Sequence, residues 1–311
     1  MAESRPPSFS VVVETDNVEL DDLDALRQCL DSLGGQQPML GRADGVFLVD
    51  GGKLPDALVE SLRRDYPWLT VARAEGVPGY IGQKARGAGL TDSEVIVFCD
   101  ADIRYEAGWL EALLAPFAER PEVEIVGGET TTPIHGPYSL AVALTFVFPR
   151  FSGEQDLVPS PTYWANNVAI RRGVLAGAPI PDPDALYRGQ NILHSLDLLR
   201  SGRTIWRQPR ARAQHIVLAP RTIARRYLTL GRDSRSVARL TSDVSGRPYL
   251  AAMAPDESGE HRWRKLAGRA RQVTRTSPGD LAWLPLALPV VGLLGLCYLA
   301  GRLSSGSAPS H

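Results

Sequence analysis

The sequence predicts an α/β fold, with a doubly wound, mostly parallel sheet. Three observations carry that expectation. Strand-like and helix-like segments alternate four times between Phe9 and Gly127, and each connection is long enough for a crossover. The strand-like runs are rich in Val and Ile without alternation, as strands buried on both faces are. Polar residues recur at three strand ends: Thr15 and Asp16, Asp50, and Asp100 and Asp102. In a parallel sheet these lie on one edge, where open α/β sheets take their ligands.

In chain order, Phe9–Val13 reads as a strand ending in the polar loop Glu14-Thr15-Asp16-Asn17. Leu20, Leu23, Leu26, Leu30 and Leu33 form a helical stripe, and Gly34-Gly35 stops it. Gly45–Val49 is a second strand, ending at Asp50-Gly51-Gly52, and a helix follows from Pro55 to Tyr66. Thr70–Ala74 is a third strand. Gly79–Leu90, with Gly82, Gly87 and Gly89 around Lys84 and Arg86, reads as a loop entering a short helix. The strand Val95–Asp102, a helix over Glu106–Arg120 and a strand over Val123–Gly127 complete the alternation. Tyr138–Phe148 is strongly apolar but too short to cross a bilayer, so a buried or interfacial helix is expected there.

The 311 residues suffice for one large α/β domain or two smaller ones. Cys29, Cys99 and Cys297 lie far apart in sequence, which implies neither a disulfide framework nor a zinc site and fits a reducing compartment. Charge is unevenly spread: residues 201–275 hold 17 Lys+Arg against 5 Asp+Glu, while the whole chain has a net charge of −1. A basic second half suits anionic partners such as lipid head groups or diphosphates. No aromatic or motif pattern singles out nucleic acid. Met1–Ser8 is polar and Pro-containing, unlike a signal peptide.

The strand Val95–Asp102 organises the expected site. Two hard oxygen donors one residue apart can both reach one divalent cation, and such a cation commonly also takes phosphate oxygens. The alternative is that Asp-Ala-Asp starts a turn and caps the next helix. The three acidic strand ends together look like a nucleotide site, with Asp50 for ribose or base and the later pair for metal and diphosphate. No G-x-G-x-x-G opening and no G-K-[ST] is present, so neither the dinucleotide fingerprint nor the phosphate loop applies.

Four pieces in order resemble the family 2 glycosyltransferases, which have the GT-A, nucleotide-diphospho-sugar transferase fold. They are Ser10–Asn17 as the first strand, Asp50 as the nucleotide-contacting Asp, Cys99-Asp100-Ala101-Asp102 as the D-x-D signature, and Trp164–Arg172 as the acceptor-side segment. The resemblance covers residues 8–218. It implies transfer of a sugar from a nucleotide sugar with inversion, with Mg²⁺ or Mn²⁺ between the D-x-D and the diphosphate. Carried over, Asp100 and Asp102 hold the metal. Thr15, Asp16, Asp50, Lys84 and Asp100 face the donor, with Lys84 neutralising phosphate or else simply solvated. Trp164, Asn166, Asn167, Gln190 and Asn191 fall on the acceptor side. His215 occupies a place where some members complete the metal site.

The chain departs from the family at the base. Where the family has Gly-Glu-Asp before a helix, this sequence has Gly189-Gln190-Asn191, and an amide accepts no proton at neutral pH. A displaced base is the first expectation. The candidates are Asp182 or Asp184 just upstream, and His194 and Asp197, which share a helix face with Gln190; the plainer reading of His194 is a solvent-facing helix residue. The alternatives are an acceptor needing little base assistance, or a protein that binds a nucleotide sugar without turning it over.

After a strand over Thr204–Gln208, Pro220–Leu240 reads as an amphipathic basic helix suited to an anionic membrane surface or to packing on the domain. Residues 242–280 read as a linker with a short basic helix near Arg262–Arg275. Leu281–Gly301 carries no charge over twenty-one positions, long enough for one transmembrane helix, with Trp283 and Tyr298 near its ends. Arginines before it and only Arg302 after it place the preceding domain in the cytoplasm by the positive-inside rule.

The expected organisation is therefore a disordered 1–7, a GT-A domain over 8–218 (donor half 8–128, acceptor half 129–218), a basic helical and linker region 219–280, a transmembrane helix 281–301 and a tail 302–311. The expected function is metal-dependent, inverting hexosyl transfer to a lipid-linked or cell-envelope polysaccharide acceptor, by a single-pass cell-membrane protein. The alternatives are a catalytically weak nucleotide-sugar-binding partner of an active transferase and, behind it, a nucleotidyltransferase, whose Gly-rich basic first loop is missing after Val13.

Overall fold

The structure is a computed structural model that describes residues 7–18, 20, 23–37, 39–77, 79–183, 186–240 and 259–304. Most of the expected disordered N-terminus, Asp184, residues 241–258 of the expected linker and most of the tail lie outside the described residues.

The alternation read from the sequence is present: β1 (Phe9–Glu14), α1 (Leu23–Gly34), β2 (Gly45–Asp50), α2 (Asp56–Asp65), β3 (Thr70–Arg73), α3 (Gly79–Ala88) and β4 (Val95–Asp100). Then come β5 (Ile103–Tyr105), α4 (Trp109–Glu119), β6 (Ile125–Thr131), α5 (Pro137–Thr145), β7 (Val158–Ser160), β8 (Asn167–Arg171), α6 (Arg172–Gly177), α7 (Gln190–Arg200) and β9 (Ile205–His215). The sheet runs β3-β2-β1-β4-β8-β6-β9-β5, with β7 on β9. β3, β2, β1 and β4 are mutually parallel, whereas β8 is antiparallel to both β4 and β6.

Alternate residues of the central strands feed two cores. Val11, Val13, Val95, Val97 and Cys99 pack with Leu26, Leu30 and Leu33 of α1 and Trp109 and Leu113 of α4. Val12, Ile96 and Phe98 point the other way, into a core with Val168, Ile170, Val174 and Leu198. Helices on both faces are the reason these strands read as unbroken apolar runs. Burying each such Val, Leu or Ile contributes about 1.5–3 kcal/mol.

Two sequence expectations change. Gly79–Ala88 is helical from its first residue rather than a loop entering a short helix, so Lys84 sits on the helix. The strand expected over Val123–Gly127 begins later and runs to Thr131. Within the Trp164–Arg172 segment lies β8, whose apolar Val168, Ala169 and Ile170 are buried between β4 and β6.

The chain divides into two compact units. The first comprises Met1–Glu129, Ser152–Asp182 and His194–Gln214; the second comprises Thr130–Phe151, Pro183–Leu193 and His215–His311. The second unit is built on α5, α8 (Pro220–Leu240), α9 (Gly259–Thr276) and α10 (Leu284–Leu303), with a 3₁₀ turn over Pro278–Trp283. Helix α9 is longer than the short basic helix expected near Arg262–Arg275. The helical run Pro278–Leu303 is long and apolar enough to cross a membrane.

Candidate active site at the carboxyl ends of β1, β2 and β4

Strand register gathers the acidic residues. Glu14 at the end of β1 lies opposite Asp100 at the end of β4 and, on its other side, opposite Val49, one residue before Asp50. Asp102 follows in the turn between β4 and β5 and is buried. Helix α3 supplies the counter-charge. A Cβ at Gly87 would sit 2.3 Å from the Val12 side chain, so only glycine lets α3 lie this close to the sheet. One turn earlier, the fully buried Lys84 donates to the Cys99 carbonyl at 2.7 Å and pairs with Asp100 at 2.5 Å.

The other strand-end residues are held in a network. Asp50 is buried, pairs with Arg73 at 2.6 Å, and accepts from the backbone N–H groups of Lys53 (3.0 Å) and Leu54 (3.2 Å). Thr15 donates its hydroxyl to Val49 O and Asp50, and Gln83 of α3 accepts the Thr15 N–H at 3.0 Å. Asp50 thus shapes the turn after β2 and fixes Thr15. Asp16 pairs with the half-exposed Lys53 at 2.8 Å. Glu14 accepts from Asp16 N–H at 2.6 Å and from the Asn17 amide at 2.6 Å.

Buried negative charge dominates this corner. Burial first, then Asp100, pushes the Glu14 carboxyl up to about 8, with Asp16 and Asp102 adding to the rise and Lys84 opposing it. The donor set consists of hard carboxylate oxygens with an excess of negative charge, and that chemistry fits a divalent cation such as Mg²⁺ or Mn²⁺. Among the described residues, no three His, Cys, Asp or Glu side chains converge as a complete metal-ligand group.

Asn167 and Asn166 tie the acceptor-side segment to this corner. Asn167 accepts from Trp109 Nε1 at 2.7 Å and donates to the carbonyls of Glu129 and Ala211, both at 3.1 Å. The Asn166 carbonyl accepts from Tyr105 OH at 2.8 Å, and Tyr105 OH also lies 3.3 Å from the Asp100 N–H. Both asparagines are buried, and Trp164, partly exposed, accepts the Asn167 N–H at 3.0 Å.

A family model described as glycosyl transferase family 2 matches residues 10–175, more than half of the chain and the whole of the corner just described. The chain belongs to this family. The fold is the GT-A fold, shared with solved structures of low identity. One is a crystal structure of GalNAc-T7 with UDP, GalNAc and Mn²⁺ (17% identity, TM-score 0.56, covering 88% of this chain and 58% of that one). Another is the mannosyltransferase PcManGT from Pyrobaculum calidifontis in complex with GDP-Man and Mn²⁺ (16% identity, TM-score 0.59, covering 96% of this chain and 87% of that one). The chain thus spans little more than half the length of GalNAc-T7. No curated protein matches it.

The base candidates of this family 2 chain fare differently from the acidic corner. His194 is not a solvent-facing helix residue: it is fully buried, with Tyr163 OH at 2.5 Å from Nδ1 and the Ala178 carbonyl at 2.8 Å from Nε2. Both ring nitrogens are engaged, leaving none for an acceptor hydroxyl. Asp197 is exposed and lies 3.6 Å from Arg200, so the expected shared face of α7 is buried at Gln190 and His194 but open at Asp197. Gln190 donates to the Leu186 carbonyl at 2.8 Å as part of the packing, and the partly exposed Asn191 follows it in the first turn of α7.

His215, expected as a third metal ligand, is held within the second unit. Its Nδ1 donates to the Ile216 carbonyl at 2.8 Å, its Nε2 lies 3.1 Å from Arg226 Nη1, and its ring packs between Phe146 and Phe148. The nitrogen that would bind a metal therefore accepts from a guanidinium.

Burial holds the His194 ring below the ordinary histidine range, against the opposing pull of the Ala178 carbonyl and Asp197. A histidine whose folded pKa is lowered binds its proton first in the unfolded chain. Its contribution to stability is intact above about pH 6.5 and is lost as pH falls below it, by at most about 1.4 kcal/mol per pH unit. Wild-type protein should therefore lose thermal midpoint more steeply than His194→Gln between about pH 7.5 and about pH 5.5. Parallel midpoint–pH curves for the two proteins would refute this assignment.

Sequence reasoning named neither Glu14, Gln83 nor Arg73 as a site residue. Glu14 carries a sequence signal, as the last residue of a six-residue buried strand. Its importance needs the pairing of β1 with β4, which the sequence does not state.

Proposed function

We propose that the chain is an inverting, metal-dependent hexosyltransferase. It takes a nucleotide sugar as donor and a lipid-linked or cell-envelope polysaccharide as acceptor, at the cytoplasmic face of the cell membrane. The observation that carries this reading is the buried acidic corner, where Asp100 and Asp102 stand beside Lys84 at the carboxyl ends of parallel strands. Asp100 and Asp102 would hold Mg²⁺ or Mn²⁺, and the bound cation supplies Lewis-acid stabilisation of the charge that develops on the departing diphosphate. Lys84 fixes the Asp100 carboxylate. Asp50 and Gln83 fix Thr15 at the end of β1, and the Asp16–Lys53 pair marks the rim on the nucleotide side. The Mn²⁺ and nucleotide or nucleotide-sugar ligands of GalNAc-T7 and PcManGT support this reading by analogy of fold.

The proton-accepting role falls to Asp184 or Asp197, since the ring nitrogens of His194 are both engaged. One observation favours a second reading, a nucleotide-sugar-binding partner that does not turn over: the amides Gln190 and Asn191 stand where family 2 members carry carboxylates. A panel of nucleotide sugars, assayed for binding and for transfer or hydrolysis with and without Mn²⁺, decides between them. The enzyme reading expects turnover of one donor that stops on chelation. Tight, metal-dependent binding with no turnover of any donor sinks it in favour of the partner reading.

A further inference from the structure

Helix α10 packs along one side on α5 and α8. Its first half packs on α5: Leu284, Ala287, Val290 and Val291 meet Leu140, Ala141 and Leu144, with Val273 of α9 closing the cluster. Its last turns pack on α8 at backbone contact. A Cβ at Gly301 would lie 1.9 Å from the Leu228 carbonyl, and one at Gly231 would lie 2.0 Å from the Tyr298 carbonyl. Arg235 of α8 donates to the Arg302 carbonyl at 2.8 Å. The packed residues Ala287, Leu294 and Gly301 recur every seventh position, on one face. Leu286, Leu288, Leu293, Leu296, Leu299 and Leu303 turn the other way and are exposed, between 43% and 79%.

Helices α5 and α8 are themselves joined. Tyr138 OH donates to the Leu218 carbonyl at 2.8 Å, and Tyr227 OH meets Thr145 Oγ1 at 2.5 Å, so α5 and the start of α8 run side by side. A perpendicular α10 would therefore carry both helices into hydrocarbon, together with the exposed Arg221 and Arg225 of α8. Arginine is among the most costly residues there, and it has no such cost at the headgroup level.

We propose that α10 lies in the plane of the membrane rather than across it. Its leucine face dips into one leaflet of an anionic phospholipid bilayer, and the exposed Arg221, Arg225, Arg271 and Arg275 meet the head groups. Trp283, 42% exposed at the start of α10, sits where interfacial aromatics do. The charge complementarity of these arginines selects an anionic lipid surface as the occupant of the leucine face. This replaces the single-pass topology expected from the sequence. It rests on the proposed function only for the membrane setting, and donor binding, measured in parallel, reports on the active site separately.

The test uses the full chain. Vesicles of phosphatidylglycerol and phosphatidylcholine should bind it at least tenfold more tightly than phosphatidylcholine alone. Leu293→Asp combined with Leu296→Asp, both at exposed positions, should abolish that binding while circular dichroism and donor binding stay unchanged. In a Cys297→Ser background, Ser304→Cys and Glu60→Cys should react with an impermeant maleimide from the same side of sealed membrane vesicles. Labelling from opposite sides means a spanning helix and overturns the proposal. So does equal binding to neutral vesicles, or a stable dimer that hides the leucines and binds no vesicle.

Discussion

Asp102→Ala is expected to remove metal-dependent donor binding, with the affinity for a nucleotide sugar in Mn²⁺ falling by about a hundredfold or more, which is about 2.7 kcal/mol. The reasoning is electrostatic. A diphosphate and a corner holding the carboxylates of Asp16, Asp100 and Asp102 repel each other, and a divalent cation converts that repulsion into a bridge. Of the two D-x-D carboxylates, Asp100 is held by Lys84 at 2.5 Å, and Asp102 supplies the second hard oxygen donor that the cation would take. The same substitution takes one negative group away from Glu14, so the fold should be retained. Calorimetric titration in Mn²⁺ and in chelator, alongside a thermal melt, checks both statements. Donor affinity unchanged in Mn²⁺ would remove Asp102 from the metal site. A collapsed melting midpoint would instead make it a structural residue.

The legible parts of the sequence were those set by local periodicity. Unbroken Val/Ile runs identified β1, β2 and β4, because strands covered on both faces have no polar side to show. The polar residues that ended those runs marked the ligand edge for the same reason. What local pattern could not carry was anything decided by an approach between distant segments. The glycines of Gly79–Leu90 made the start of α3 read as a loop, yet Gly87 is there so that the helix can touch Val12. His194 looked like a surface helix residue, because its partners Tyr163 and Ala178 lie 31 and 16 residues away. The charge-free run over Leu281–Gly301 has the length of a span, as the helix has, but the backbone contacts of Gly231 and Gly301 lie in no hydropathy window. The acceptor half was least legible for a further reason: Gln190 and Asn191 stand where the family carries carboxylates.

Lys84→Met should destabilise the first unit by about 3–5 kcal/mol, because it leaves the Asp100 carboxylate buried without its cation. The ammonium is fully buried and Asp100 nearly so, so water cannot take over the lost partner. Methionine keeps most of the volume of the lysine stem, so the loss reports charge rather than a cavity. Removing both partners, as Lys84→Met with Asp100→Asn, should recover part of the stability, since the isolated buried charge is then gone. Metal distinguishes a pair with a site function from a purely structural one. With Lys84 absent, a cation bound at Asp100 compensates that carboxylate in its place, and linkage converts tighter binding to the native state into stability. Saturating Mn²⁺ should therefore raise the thermal midpoint of Lys84→Met more than that of the wild type. In Lys84→Met with Asp100→Asn, that extra rise should vanish. An equal metal-induced shift in all three proteins would mean that the cation does not sit on Asp100 and that Lys84 serves only the fold.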